Sequence, residues 1–205
     1  MVAIIDYDAG NIKSVENAVH SLGVDTITSR DCTVIAKADH VILPGVGAYA
    51  DAMEKLEKYE LIPVIWQVIQ SGTPFLGICL GLQLLFESSE EGNGKGLGIL
   101  KGNIIKIPDD NGLKVPHIGW NSLEINPRSQ LLQGLPEEAY VYFVHSYYLK
   151  AQQEEIVAAK TEYGVSIHAA IESQNVFACQ FHPEKSSTVG MQILQNFLNV
   201  RKEDC

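Results

Sequence analysis

Apolar residues in the first half of the chain fall into two alternating patterns. Short unbroken runs rich in branched residues predict strands, and longer stretches with apolar positions three or four apart predict helices. "VAIID" (Val2–Asp6) is the first strand, followed by the turn residues "YDAGN". From Asn11 to Leu22 the apolar positions Ile12, Val15, Val19 and Leu22 share one helical face, and Gly23 stops the helix. Val41–Leu43 predicts a strand broken by Pro44. Helices are expected from about Tyr49 to Lys58 and from about Pro63 to Gln70, the latter closed by Gly72. "TPFLGI" is the next strand and "LGLQLLFESS" the next helix.

Strands that read as unbroken apolar runs are those buried on both faces, as parallel strands between layers of helix are. The first half therefore predicts a doubly wound α/β fold, with a mostly parallel central sheet and flanking helices. The second half is richer in strand signals: "NIIKI", "NSLEI", "AYVYFVHSYYL", "EIVAAK", "SIHAAI" and "VFACQF". These predict an antiparallel β extension, curled or forming a second sheet. A last helix is expected from about Thr188 to Val200, before a frayed tail "RKEDC". No internal repeat or low-complexity linker divides the 205 residues, so residues 1–205 are expected to form a single domain. "GNGKGLG" (Gly92–Gly98) lacks the Gly-Lys-Ser/Thr ending of a phosphate loop and reads as a flexible connector.

Composition narrows the partners. Hydrophobic content of 46% and charged content of 20% are ordinary for a globular chain. A net charge of −10 argues against broad binding to nucleic acid or to an anionic membrane, since both need a cationic face. No apolar run reaches the ~20 residues of a membrane helix. The N-terminal "MVAIIDYDAG" has no basic lead and meets Asp6 and Asp8 at once, so the cytoplasm is the expected location. Cys32, Cys79, Cys179 and Cys205 show no repeated spacing, so free thiols are expected. Cys179 lies three residues before His182, but no second pair accompanies it, and neither a metal nor a cofactor is expected.

Cys79 stands apart. It sits between two glycines in "GICLG", where a strand enters a helix, the pattern of a nucleophile elbow. A helix starting at about Leu80 would aim its N-terminal N–H groups at the thiol, favouring the thiolate and offering donors to an oxyanion. The plainer alternative is a small buried core cysteine. A catalytic thiol needs a base held by an acid. Of the six histidines, His20 and His40 lie in surface-like contexts, and His168 sits in an alternating strand. His117 and His145 remain candidates to line a site. His182 ends the apolar strand "VFACQF" in "HPEKS", with Pro183 forcing a turn and Glu184 placed to orient the ring. Cys79, His182 and Glu184 at strand ends can meet at one edge of a parallel sheet, as nucleophile, base and orienter.

"GICLG" with "HPEKS" resembles the class I, triad-type glutamine amidotransferase family over almost the whole chain. "IIDYDAGN", "PGVGAY", "VPHIGWN" and "YFVHSYY", in that order, are similar to the branch of that family that serves imidazole glycerol phosphate synthases in histidine biosynthesis. That branch often has "DYGxGN", so Asp8 is a small departure outside the triad. The resemblance implies glutamine as substrate, with Cys79 forming a thioester, His182 as base and Glu184 fixing the imidazole. It implies an oxyanion loop at "PGVG", with the N–H of Val46 or Gly47 joined by that of Leu80. Gln83 matches a glutamine-binding position, with a capping or surface amide as its alternative, and Ser146 and Tyr147 match backbone contacts to the substrate. The implied partner is a (β/α)8-barrel cyclase that forms a heterodimer with the chain and receives ammonia through a channel. Trp120 and Asn121 in "VPHIGWN" are the implied docking patch, and Lys185, just after the triad, resembles the family's interface lysine; Trp120 equally fits a local core. The competing readings are another amidotransferase, a cysteine hydrolase or peptidase with the same elbow, and a degenerate non-catalytic subunit.

Overall fold

A computed structural model describes residues 1–8, 10–109 and 112–202 of the chain. Ala9 of the "YDAGN" turn, and Cys205 with the end of the expected frayed tail, lie outside the described residues. The first half runs β1 (Val2–Ile5), α1 (Ile12–Ser21), β2 (Thr26–Ser29), α2 (Cys32–Ile35), β3 (His40–Gly45), α3 (Tyr49–Lys58), α4 (Leu61–Gln70), β4 (Phe75–Cys79) and α5 (Leu80–Leu84). Then follow β5 (Ser88–Ser89), β6 (Gly94–Lys95), β7 (Gly102–Lys106), β8 (His117–Ser122), β9 (Glu124–Ile125), β10 (Tyr140–His145) and β11 (Tyr147–Ala151). The chain closes with β12 (Val157–Glu162), β13 (Ser166–Ser173), β14 (Val176–Cys179) and α6 (Ser187–Asn199).

Eight strands form the central sheet in the order β2-β1-β3-β4-β14-β13-β12-β9. Pairing is parallel from β2 through β14 and antiparallel from β14 out to β9. The doubly wound reading and its antiparallel extension are thus both present. Alternate residues of one strand feed two separate cores, which is why the strands read as continuous apolar runs. Ala3 and Ile5 of β1 pack with α2, α3 and α4, whereas Val2 and Ile4 pack with α1 and α6. Two smaller sheets, the β8–β10 ribbon and the four-stranded β11-β7-β5-β6, attach beside this frame.

Three expectations need correction. β3 does not break at Pro44 but continues to Gly45. Its pairing with β1 has ended at Ile42, so no ladder hydrogen bond is missing on that side, and the Tyr7 hydroxyl donates to the Pro44 carbonyl there instead (2.8 Å). The helix after Cys79 is five residues long rather than ten, because the chain turns at Leu85 and Phe86 to enter β5. The "GNGKGLG" segment is not a loose connector: Gly94–Lys95 pairs with β5, and Gly96 is wedged against Tyr49 and the Phe86 backbone. Edge strand β2 and the short α2 have too weak a pattern to be read from sequence.

Two glycines allow β4 and α5 to pack against β3. A Cβ on Gly81 would lie 1.9 Å from the Leu43 carbonyl oxygen, and one on Gly77 would lie 2.7 Å from the Gly81 carbonyl oxygen. Backbone occupies both spaces, so neither clash can be relieved by a side-chain rotation. Gly81→Ala is accordingly expected to destabilise the fold by at least ~3 kcal/mol through overpacking. A urea melt superimposable on that of the unmodified chain would show that α5 can move off β3.

Candidate active site

Cys79 closes β4 and has φ +55°, in the left-handed region that side chains other than glycine rarely adopt. Holding such a residue costs on the order of 1–3 kcal/mol, and the packing around Gly77 and Gly81 imposes it. The elbow is therefore formed as the sequence predicts. A five-residue α5 does not supply the aligned dipole of a long helix, so its contribution to the site is the unpaired N–H groups of its first turn, beginning with Leu80.

β14 pairs in parallel with β4, Cys179 standing opposite Ile78, so the chain leaving β14 passes directly beside Cys79. Three residues on, the His182 N–H donates to the Tyr142 carbonyl (3.0 Å), and the Ser186 hydroxyl donates to the His182 carbonyl (2.6 Å). Those bonds fix the turn that carries His182 and Glu184. His182 Nδ1 lies 2.8 Å from Glu184 Oε1, and both side chains are buried. The acceptor-only carboxylate means that Nδ1 carries a hydrogen and that Nε2 is the nitrogen turned to Cys79. Nε2 is buried and makes no hydrogen bond of full geometry, leaving it poised for the thiol proton. Burial alone would lower the His182 pKa; its interactions with Cys79 and Glu184 outweigh that and raise it to about 9.

Cys79 and His182 face a cavity of about 440 Å³. Val46, Gly47, Leu80, Gln83, Ser146, Tyr147 and Lys185 line the same space, so eight of the positions picked out from sequence converge around the thiol. Val46 is 41% exposed, and Gly47 takes φ +100° with open space where a Cβ would stand. Gln83 is buried and not a surface amide; its Nε2 donates to the Tyr147 carbonyl (3.1 Å) and to Gln180 Oε1 (3.0 Å). The Ser146 carbonyl accepts from the Ile107 N–H.

Sequence reading missed two participants, Gln180 and Glu91. Gln180, fully buried, places its Nε2 3.7 Å from Cys79 Sγ. Glu91 brings a carboxylate to the cavity wall, with one oxygen accepting from the Tyr49 N–H. Of the two histidines read from the sequence as candidates to line a site, His145 lines the cavity and His117 lies behind it: His145 Nε2 faces His117 Nδ1 at 3.1 Å, and His145 Nδ1 is on the Tyr147 carbonyl at 2.8 Å. Burial lowers both imidazoles to about 4. Periodicity marks neither Gln180 nor Glu91, because a buried glutamine at the end of an apolar strand looks like any interruption of the pattern.

Trp120 is 52% exposed on the outer face of the β8–β10 ribbon, beside Ile118 and Tyr140, and touches Tyr142 edge-on; it is not a core residue. The Asn121 amide bonds to the Glu162 carbonyl and the Ser122 N–H. Among the described residues no group of three or more His, Cys, Asp or Glu side chains could hold a metal ion, and no helix is long and apolar enough to cross a membrane. Cys179 is wholly buried, its thiol pushed up chiefly by burial, and Cys32, Cys79 and Cys179 are free thiols.

The sequence profile of the family "Glutamine amidotransferase class-I" matches residues 3–200. "Imidazole glycerol phosphate synthase subunit HisH" of Thermosynechococcus vestitus is 50% identical over 204 residues, covering 98% of both chains. The protein of that name from Aquifex aeolicus is 50% identical over 95% of this chain and 94% of its own. Among solved structures, "Crystal structure of glutamine amidotransferase" superposes with a TM-score of 0.76 at 18% identity, over 97% of each chain. The "Structure of PurLQS from Thermotoga maritima" superposes with a TM-score of 0.73 at 20% identity, also over 97% of each. At those identities the structures show the shared fold.

The imidazoles set a pH dependence of stability with a definite sign. His117 and His145 titrate near 4 in the fold against about 6.5 unfolded, so the unfolded chain binds more protons between those values and stability falls as pH drops through that window. His182, raised to about 9, acts oppositely: its contribution is full below about 6.5 and is lost as pH rises to 9. From pH 6.5 to 5.5, above most carboxylate titration, urea melts should lose about 1–3 kcal/mol of stability. A flat profile over that unit would mean that the histidine pair is already charged in the fold.

Proposed function

The chain belongs to the class-I glutamine amidotransferase family, and from that premise we propose that it is the glutaminase subunit of an imidazole glycerol phosphate synthase in histidine biosynthesis. It hydrolyses glutamine to glutamate and ammonia and passes the ammonia to a cyclase subunit. The observation that carries this reading is that Cys79 and His182 face one cavity with Glu184 bonded behind His182, in a chain half identical to its named relatives along nearly its full length. Residues 1–205 act as a single glutaminase domain in this reading.

In the proposed reaction the Cys79 proton passes to His182 Nε2, and the resulting thiolate Sγ attacks the side-chain carbonyl of glutamine. Glu184 keeps Nδ1 protonated and the ring oriented throughout, as triad chemistry requires. The tetrahedral oxyanion is met by the N–H of Leu80 and that of Val46 or Gly47. Losing one such donor typically lowers turnover by about 10²–10³-fold. His182 then returns the proton to the departing nitrogen, which leaves as ammonia, and a thioester remains. Water, deprotonated by the same imidazole, cleaves the thioester to glutamate and restores the thiol. Gln83 and the backbone at Ser146 and Tyr147 hold the amino acid, and the Glu91 carboxylate suits its α-ammonium group.

Free ammonia at neutral pH is mostly protonated and escapes to water, so its acceptor has to sit against the site. The proposed partner is a (β/α)8-barrel cyclase forming a heterodimer with this chain. Exposed Ile118, Trp120 and Tyr140 form an aromatic-rich apolar patch of the kind interfaces use, and Asn121 and Lys185 are further proposed contacts to the cyclase. The isolated chain idles in this scheme, its Pro44–Gly47 loop turning a donor to the oxyanion only when the partner's ligand is bound.

Glutamate release by the purified chain should rise sharply only when both a barrel cyclase and the cyclase's nucleotide ligand are present, and Cys79→Ala should abolish it. Unchanged release with a competent cyclase would assign the chain to a different synthase. Trp120→Ala should weaken association with the cyclase by about 2 kcal/mol or more, near thirtyfold in Kd, as truncation of a central aromatic anchor does. Calorimetric titration giving an unaltered Kd would move the docking face elsewhere.

A further inference from the structure

Gln180 lies one residue beyond β14, and its N–H donates to the Ala169 carbonyl of β13 (2.8 Å). None of its surface reaches solvent. A glutamine buried this deeply needs partners for both ends of its amide, since an unpaired polar group in the interior is strongly destabilising. It has them: Oε1 faces Gln83 Nε2 at 3.0 Å, and Nε2 faces Cys79 Sγ at 3.7 Å, within reach of a bond to sulfur.

The direction of this pair is not arbitrary. Amide oxygen and nitrogen are assigned from their partners. The Tyr147 carbonyl can only accept, so the end of Gln83 that meets it is its NH2 group. The same NH2 group meets Gln180, which must therefore present its oxygen there. That leaves the Gln180 NH2 group, and no acceptor, pointing at Cys79 Sγ. A donor there favours a negative sulfur over a neutral thiol.

We infer that Gln180 is a further catalytic residue, whose side-chain amide donates to Cys79 Sγ and thereby stabilises and aims the nucleophilic thiolate. The Tyr147 carbonyl, acting through Gln83, sets the polarity of that amide. This rests on Cys79 being the nucleophile. Sγ then has two donors on its two sides, the His182 imidazolium and the Gln180 amide, and keeps the second when the imidazole gives up its proton. His145, Glu91 and Lys185 line the cavity that the sulfur faces, and the Tyr7 phenol and the Cys179 thiol interact with the sulfur from the protein side. Burial, and then the charge on Cys79, pushes Tyr7 up; burial, then Glu184 and Cys79, does the same to Cys179, so both remain neutral.

The test is the pH profile of Cys79 alkylation by iodoacetamide in the full chain, followed by peptide mass spectrometry so that Cys32 is counted apart. Gln180→Met keeps the length and loses the donor. Gln180→Asn keeps the amide but is one methylene too short to reach both partners. Melting temperature and near-ultraviolet circular dichroism establish which variants are folded, and Asn serves if Met is not. Both should react about tenfold more slowly at pH 7, with the profile displaced by about one pH unit to higher pH, which core filling alone would not produce. A folded variant with the profile in place, or displaced to lower pH, overturns the assignment. Alkylation does not depend on glutamine turnover, so this result stands apart from the Cys79→Ala glutaminase assay that tests the function itself.

Discussion

The contact between the Gly81 backbone and the Leu43 carbonyl is the constraint on which the site depends. A Cβ at Gly81 would collide with that oxygen, and one at Gly45 would lie 2.8 Å from Leu80 Cβ and 2.9 Å from the Gly81 nitrogen. Backbone thus meets backbone where β3 ends and α5 begins. Two consequences follow from that closeness. Cys79 has to turn through φ +55° to enter α5, which lifts its sulfur out of the sheet, and the segment after Gly45 is delivered to the first N–H groups of α5. One close approach therefore places the proposed nucleophile and oxyanion donors together, and the Tyr7 hydroxyl on the Pro44 carbonyl holds the arriving strand in place.

Much of this frame was legible in the sequence. Helix α3 has the bounds its periodicity gives, and α1, α4 and α6 agree within a residue or two. The elbow and the His182–Glu184 turn were visible because their chemistry demands particular residue types at fixed spacings. What could not be read is where a ladder ends. Pro44 stops a central strand in general, yet here β1 has already parted from β3, so its missing N–H is never asked for. The extent of α5 was equally hidden: Leu85 and Phe86 continue the apolar pattern, but the chain bends at them to form β5. Gln180 escaped because its role is defined only by three-dimensional partners.

The electrostatic design keeps a single charged imidazole at the cavity. Three imidazoles lie close together, and a second positive charge beside His182 would depress it and weaken it as a base. His145 avoids this by burial and by its bonds. Its Nδ1–H is directed to the Tyr147 carbonyl, so its neutral Nε2 must accept from His117 Nδ1–H, and both tautomers are fixed. His117 is stacked between Phe143 and Tyr163, which leaves little room to hydrate a charged ring. His182, by contrast, has Glu184 on one side and Cys79 on the other, which support its charge against burial.

These bonds join into one line, from His117 on the ribbon that displays Trp120, through His145 and the Tyr147 carbonyl, to Gln83, Gln180 and Cys79 Sγ. The line connects an exposed apolar surface to the nucleophile, but its physics is that of a strut. A switch needs two arrangements of comparable energy. Here an acceptor-only carbonyl sits in the middle, so every amide and imidazole on either side has a single satisfied orientation, and reversing any one would bury an unpaired group. The proposed nucleophile and glutamine-binding amide are therefore preset by the fold, and His182 is set separately by its bonds to Glu184 and Tyr142. Freedom lies on the opposite wall of the cavity, at Val46 and Gly47, where side chain and backbone are exposed and open space surrounds the glycine. Control of this site by the proposed partner accordingly belongs with the proposed oxyanion donor, which neither the hydrogen-bond line nor the His182–Glu184 pair holds.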